Sequence, residues 1–175
     1  MEKVQPLISA QEIAARVKDL AAQITQDYAG KTVTLLCTLT GGVVFFTDLA
    51  REIKLDVRAQ FIKVSSYGNN SISDGKIRLE YPEKLDLQGK DVIIVEDIVD
   101  MGYTARWLRE FLQNESPASV RLCALLDKPE RRVAEVRIDY LGFAIPDEFV
   151  VGYGLDYAQR YRFLPYVGKL IKDVD

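Results

Sequence analysis

Ile13, Val17, Leu20, Ala21 and Ile24 recur at three- and four-residue intervals, the spacing that gathers apolar side chains on one face of an α-helix. Ser9 and Glu12 stand just ahead of them, with the separation of a capping box, in which each side chain satisfies the other residue's backbone amide. The pattern predicts an amphipathic helix that starts after Ser9 and stops at Ala29-Gly30. Then the rhythm changes. VTLLCTL is apolar almost throughout, as a strand buried on both faces requires, and GGVVFFTDLAREI turns through two glycines into a second helix. VRAQFIKV predicts another strand, SSYGNNSISDGK a polar mobile loop, and IRLEY a returning strand. After the turn in DLQGK, DVIIVE reads as a strongly apolar strand; Ala105, Leu108, Phe111 and Leu112 mark a third helix, and VRLCALLD repeats the strand pattern.

Helices alternating with apolar strands predict an α/β fold with a mostly parallel central sheet flanked by helices. In such sheets ligands bind beyond the carboxyl ends of the strands. The segments to inspect are therefore LTGG, SSYGNN, EDIVDMGYT, LDKPERR and FVVGYGLDYAQRYR.

Composition narrows the picture. A chain of 175 residues that is 48% hydrophobic supports one well-buried core, so residues 1–175 are read as a single domain. The net charge of -3 and pI near 5.2 leave no footprint for general nucleic-acid binding. No apolar run reaches the ~18 residues of a membrane span, and MEKVQPLIS lacks a signal peptide's apolar stretch. The expectation is a cytoplasmic protein with no membrane partner. Cys37 and Cys123 lie in apolar runs, as free core thiols do. Histidine is absent, which removes histidine-based triads and the commonest transition-metal ligand. A bound metal would be a hard cation on carboxylate oxygens, Mg²⁺ before Zn²⁺.

The chemistry gathers in DVIIVEDIVDMGYT. A buried strand here runs into three carboxylates, Glu96, Asp97 and Asp100, then Gly102 and Thr104. Clustered carboxylates resist burial unless a cation compensates them. A glycine turn opening a helix presents several backbone N–H groups and a hydroxyl, a phosphate cradle in physical terms. The carboxylates before it suit ribose hydroxyls or Mg²⁺. The alternative is a solvated turn in which acidic residues merely favour a helix N-terminus. Neither GxxxxGK[ST] nor a post-strand GxGxxG is present, which argues against P-loop and Rossmann sites.

VIIVEDIVDMGYT resembles the phosphoribosyl diphosphate loop of the type I phosphoribosyltransferases. LLDKPERR and GFAIPDEFVVGYGLDYAQRYRFLPYVG narrow the resemblance to the hypoxanthine-guanine phosphoribosyltransferases, over nearly the whole chain. It implies a type I fold with a small hood formed by the terminal segments, including about residues 140–175. It also implies transfer of ribose 5-phosphate from phosphoribosyl diphosphate to N9 of a 6-oxopurine, with Mg²⁺, in a homodimer or homotetramer.

Residue by residue, the resemblance implies that Glu96, Asp97, Asp100, Met101, Gly102, Tyr103 and Thr104 bind the phosphoribosyl group, with Asp100 as general base at purine N7. Thr40, Gly41 and Gly42 would form the pyrophosphate loop, with a cis peptide at Leu39-Thr40, and Arg162 would contact pyrophosphate. Lys128, Phe149, Val150 and Asp156 would surround the purine: Lys128 at the exocyclic O6, Phe149 stacking, Val150 through its backbone. Glu96, Asp97 and Asp156 would hold the metal. Ser65, Ser66 and Tyr67 would open a mobile lid over about 65–76; read without the resemblance, this is a hairpin connection. Three positions depart from the family pattern: Thr40 replaces a basic residue, and Met101 and Tyr103 replace a small hydroxyl residue and a basic one. The departure at Thr40 bears on pyrophosphate affinity and on any subunit contact made there, and those at Met101 and Tyr103 imply weaker 5-phosphate binding with the fold kept. A xanthine- or guanine-preferring relative is the nearest alternative. An RNA-binding, nucleotide-sensing regulator of the same fold is disfavoured by the acidic composition.

Overall fold

The computed structural model describes residues 2–67, 76–82 and 84–172. Its larger sheet has six strands: β2 (Thr32–Thr38), β3 (Asp56–Tyr67), β4 (Lys76–Tyr81), β5 (Asp91–Val99), β6 (Ser119–Asp127) and β7 (Tyr140–Ala144). They lie in the order β4-β3-β2-β5-β6-β7, parallel except for β4, which runs antiparallel to β3. Helices α1 (Ala10–Asp27) and α2 (Val43–Glu52) cover one face and α3 (Tyr103–Gln113) the other.

The continuous apolar strands make sense in this two-faced setting, because successive side chains point to opposite faces. Along β2, Val33, Leu35 and Cys37 join the core with α1 and α2, while Leu36 joins the core with α3. Along β5, Ile93 and Val95 take the first side and Val92 and Ile94 the second. Both cysteines are buried and free. The opening helix forms as its pattern predicts: Ser9 and Glu12 close the capping box, and Ile13, Val17, Leu20, Ala21 and Ile24 are its buried residues.

A second, three-stranded sheet joins the chain's two ends in the order β1-β9-β8, with β1 at Glu2–Ile8, β8 at Val150–Val151 and β9 at Val167–Lys172. Its strands come from both terminal segments, as a hood requires. The boundary differs from the expected one: Tyr140–Ala144 pairs with β6 in the large sheet, so the hood strands begin only at Val150.

Two local readings change. Ser65 to Tyr67 belong to β3 and pair with β4, opposite Arg78, Ile77 and Lys76. The polar Ser-Ser-Tyr run is therefore strand held by its partner, and residues 68–75 of the expected lid lie outside the described residues. Strand β5 also continues through Glu96 and Asp97 to Val99, because β6 extends beside it with Glu96 opposite Ala124 and Val99 opposite Asp127.

Candidate functional site

Parallel register brings the carboxyl ends of β2, β5 and β6 to one edge of the sheet, and the segments following them form the site. After β2 the chain turns sharply through a cis peptide at Leu39-Thr40, where the resemblance placed one. Gly41 then lies so close to the Asp97 carboxylate that a Cβ would stand 1.7 Å from Oδ2. Gly42 lies against the Thr38 carbonyl, 2.7 Å from where its Cβ would be. Both glycines let the backbone approach its neighbours closely.

Glu96 is 7% exposed. Thr38 Oγ1 lies 2.7 Å from its Oε2 and 3.0 Å from the Val95 carbonyl oxygen. One hydroxyl proton cannot serve two acceptors well, and a protonated Glu96 resolves the conflict by donating to Thr38 while Thr38 donates to Val95. Burial, reinforced by the Asp97 charge, pushes Glu96 up to about 8, consistent with that arrangement. Glu96 Oε1 is buried without a hydrogen-bond partner. Burial also raises Asp97, against the hydrogen bond its Oδ1 accepts from Ile98 N at 3.0 Å. Neither carboxylate has a cation within ion-pair distance among the described residues.

Beyond β5, Gly102 has a φ of +88° and precedes α3. A Cβ there would stand 2.5 Å from the Ala134 carbonyl. The carbonyl of Met101 accepts from Val133 N at 3.0 Å and Ala134 N at 2.9 Å, which fixes the loop's back. Its front is a cleft of about 260 Å³ lined by Glu96, Asp100, Met101, Gly102, Tyr103 and Thr104, among others. A neighbouring hollow joins Leu39 and Gly41 to Glu96, Asp97, Thr104 and Ser65. Thr40 itself is exposed.

The tail reaches the same edge. Gly154 has a φ of +106°, and its Cβ would stand 2.1 Å from the Gly41 carbonyl oxygen, so the two backbones touch. Arg162 donates to the Gly154 carbonyl and pairs with Asp156 at 2.8 Å; both charges act on Asp97. Asp156 also accepts from Gln159 N at 2.8 Å.

A second group lies where β6 ends. Lys128 is 6% exposed, and its backbone N donates to the Val99 carbonyl at 3.0 Å. Its ammonium lies 3.7 Å from Asp147, while Asp100 pairs with Arg131 at 2.8 Å. Phe149 is 54% exposed, its ring meeting Tyr157 edge-on with centroids 5.7 Å apart. Exposure is unusual for a ring its size and leaves a face open to a planar ligand. Val150 is buried and pairs with Lys169.

The expected residues thus fall into two connected neighbourhoods. Thr40 to Gly42, Glu96, Asp97, Asp156 and Arg162 make one, Lys128 and Asp100 the other, with the cleft of residues 100–104 opening between β5 and α3. Ser65 lines the hollow; the side chains of Ser66 and Tyr67 lie outside the described residues. Sequence patterning missed Thr38, Arg131, Asp147 and Gly154. Only the quoted LDKPERR and FVVGYGLDYAQRYR held a signal for Arg131 and Gly154, since both segments follow strands. Among the described residues, no three acidic or sulfur side chains stand close enough for a ready-made cation cage.

Residues 6–158 match the Phosphoribosyl transferase domain family. The chain is 45% identical over 170 residues to the hypoxanthine phosphoribosyltransferase of Escherichia coli strain K12, covering 96% of each. It is 46% identical to the hypoxanthine-guanine phosphoribosyltransferase of Mycobacterium avium, covering 94% of this chain and 84% of that one. In three dimensions it resembles the crystal structure of a hypoxanthine phosphoribosyltransferase from Staphylococcus aureus, with TM-score 0.92, 40% identity, and coverage of 95% of this chain and 91% of that one. A hypoxanthine-guanine phosphoribosyltransferase from Bacillus anthracis, solved with a HEPES molecule in its active site, gives TM-score 0.91 at 39% identity, covering 98% of this chain and 100% of that one. With the fold and the site geometry beside these matches, the chain belongs to the hypoxanthine-guanine phosphoribosyltransferase family.

Proposed function

We propose that the protein transfers the 5-phosphoribosyl group of phosphoribosyl diphosphate to N9 of hypoxanthine, and of guanine by the same contacts, releasing pyrophosphate. The observation that carries this reading is the buried, uncompensated Glu96–Asp97 pair beside the Gly102 cleft, on the same sheet edge as a buried lysine. The cleft suits a phosphate on the amides of Gly102, Tyr103 and Thr104 and on the Thr104 hydroxyl. Glu96 and Asp97 then lie where ribose hydroxyls fall. The loop of Thr40, Gly41 and Gly42, with Arg162, takes the pyrophosphate, for which the guanidinium fork is well suited. Met101 shapes the cleft without a hydroxyl.

Asp100 accepts the N7 proton as N9 attacks C1 of the ribose. Lys128 donates to O6: an ammonium has donors and no acceptor, so it favours a 6-oxo group over the 6-amino group of adenine. Phe149 stacks on the ring, with Val150 and Asp156 bordering the base. Breaking the C1–O bond leaves positive charge on the ribose and negative charge on the leaving group, and both require a dry, polar site.

The orphaned Glu96 Oε1 and the uncompensated Asp97 fit a hard divalent cation that takes its remaining ligands from substrate oxygens. Glu96 and Asp97 would hold Mg²⁺ from one side of the site and Asp156 from the other, joined through substrate oxygens and not as one cage, and the cation would supply charge neutralisation for the departing pyrophosphate. The enzyme would act in cytoplasmic purine salvage as a homodimer or homotetramer, a state that sedimentation velocity reads directly.

The decisive assay supplies Mg²⁺ and phosphoribosyl diphosphate with hypoxanthine, guanine, xanthine or adenine. Turnover of hypoxanthine or guanine without adenine is expected. Equal turnover of adenine would overturn the base assignment, and binding of phosphoribosyl diphosphate without turnover of any base would overturn the enzymatic reading.

A further inference from the structure

Four charged side chains form a continuous chain beside the cleft. Asp100 Oδ1 meets Arg131 Nε at 2.8 Å, Arg131 Nη1 meets Asp147 Oδ1 at 3.4 Å, and the same oxygen lies 3.7 Å from Lys128 Nζ. Its two ends are the groups assigned above to purine N7 and O6. These two atoms share one edge of a 6-oxopurine, so Asp100 and Lys128 read that edge correctly only at the right separation. The middle pair has no role in the reaction as described.

We propose that Arg131 and Asp147 are positioning residues that set this separation and thereby select 6-oxopurines, an inference that rests on the functional reading of the same site. A buried ammonium needs a counter-charge, and Asp147 is the one carboxylate within ion-pair distance of Lys128 among the described residues. At 3.7 Å it tethers the ammonium without saturating its three donors, leaving capacity for a substrate oxygen. Arg131 Nε lies at ion-pair distance from Asp100 Oδ1 without hydrogen-bond geometry, so its charge orients the carboxylate without occupying the oxygens' proton-accepting capacity.

The backbone makes the tether stiff. Pro129–Arg131 form a 3₁₀ turn, and Arg131 N donates to the Lys128 carbonyl at 3.1 Å, so the guanidinium is carried by the residue it helps to place. Asp147 sits on the segment between β7 and β8, where Ile145 N donates to the Asp127 carbonyl at 2.8 Å. Three separate segments are thereby locked around one ligand edge.

The test compares wild type with Arg131→Met, Arg131→Lys, Asp147→Asn and the Arg131→Met/Asp147→Asn double variant. It measures steady-state kinetics with hypoxanthine and adenine, and direct calorimetric binding of phosphoribosyl diphosphate with Mg²⁺. Arg131 and Asp147 are both substantially exposed, so folding is expected to survive, and Arg131→Lys retains the charge. For Arg131→Met, kcat/KM on hypoxanthine should fall about tenfold or more, as misplacement of reacting groups does. Its preference over adenine should narrow, and phosphoribosyl diphosphate binding should stay within about twofold. Arg131→Lys should recover part of the loss. The double variant should be no worse than the worse single one, because the two residues act as a unit. Additive losses, or equal loss of phosphoribosyl diphosphate binding, would overturn the proposal. An active wild type with unchanged variants would overturn the positioning role alone, whereas a wild type inactive on every purine would overturn both readings.

Discussion

Strand β5 carries carboxylates at both of its ends, in opposite circumstances. At its start, Asp91 accepts from Ser119 Oγ at 2.5 Å and pairs with Lys31 at 3.2 Å. Nearby on β6, Arg121 is held by Asp27 at 2.5 Å and lies over the rings of Tyr28 and Tyr140. At the strand's finish, Glu96 keeps an unpartnered buried oxygen and no cation reaches Glu96 or Asp97 among the described residues. Most buried polar groups in a folded protein are satisfied. An unpartnered carboxylate oxygen beside a cleft is a candidate ligand position. At one end of the strand the charges are paired within the fold, and at the other, among the described residues, they are not.

The sharpest way to break this contrast is Asp100→Ala. A general base acts mainly in the transition state, so kcat should fall about 10²–10⁴-fold, with phosphoribosyl diphosphate binding changed only a few fold. Equal losses in both, measured by single-turnover kinetics and equilibrium binding, would strip Asp100 of that role. Lys128→Ala should reduce the preference for hypoxanthine over adenine by roughly 10–100-fold; an unaltered ratio in the base panel would remove Lys128 from base selection.

Gly154→Ala probes the backbone contact that closes the site. Its left-handed φ of +106° and the Gly41 carbonyl 2.1 Å from the new methyl imply strain of about 1–3 kcal/mol. The apparent KM for phosphoribosyl diphosphate should rise about tenfold; an unmoved KM would detach Gly154 from the pyrophosphate loop.

Glu96→Gln reads the electrostatic cost of the open end. With its folded value raised to about 8, Glu96 holds a proton in the fold that the unfolded chain releases above its ordinary range of about 4–5. Stability should therefore decline as pH rises from about 5 to 8. Without substrate, Glu96→Gln should flatten that decline and raise Tm at pH 8, at roughly 2–4 °C per kcal/mol recovered. A Tm that falls in parallel with wild type would contradict the assignment. The smallest effect belongs to the end where charges are paired: Asp91→Asn should cost about 1 kcal/mol of stability, seen in urea unfolding, and leave both KM values unchanged.

Legibility followed the range of the interactions involved. Helix α1 could be read because its cap and stripe are local, and the Glu96–Asp97–Asp100 run because carboxylates are conspicuous at the end of an apolar strand. Strand β1 was not read. It contains Pro6, most of its side chains are exposed or half-exposed, and its partner lies at the other end of the chain, with Val4 opposite Leu170. Arg131 and Asp147 were not singled out, since only the β5–β6–β7 register brings their segments together. The polar Ser65–Tyr67 run took strand form from β4, a contact no local propensity expresses.

The pairing of β1 with β9 also sets an order of events during synthesis. The first strand leaves the ribosome early but has no partner until residues 167–172 follow. β8, which adjoins Phe149, hydrogen-bonds to that same late strand. Closing so long a loop is entropically the last contact to be rewarded. The α/β body can thus assemble around the edge that carries Glu96, Asp97 and Gly102 first, while the segment of Phe149 and Val150 is fixed only when β9 arrives.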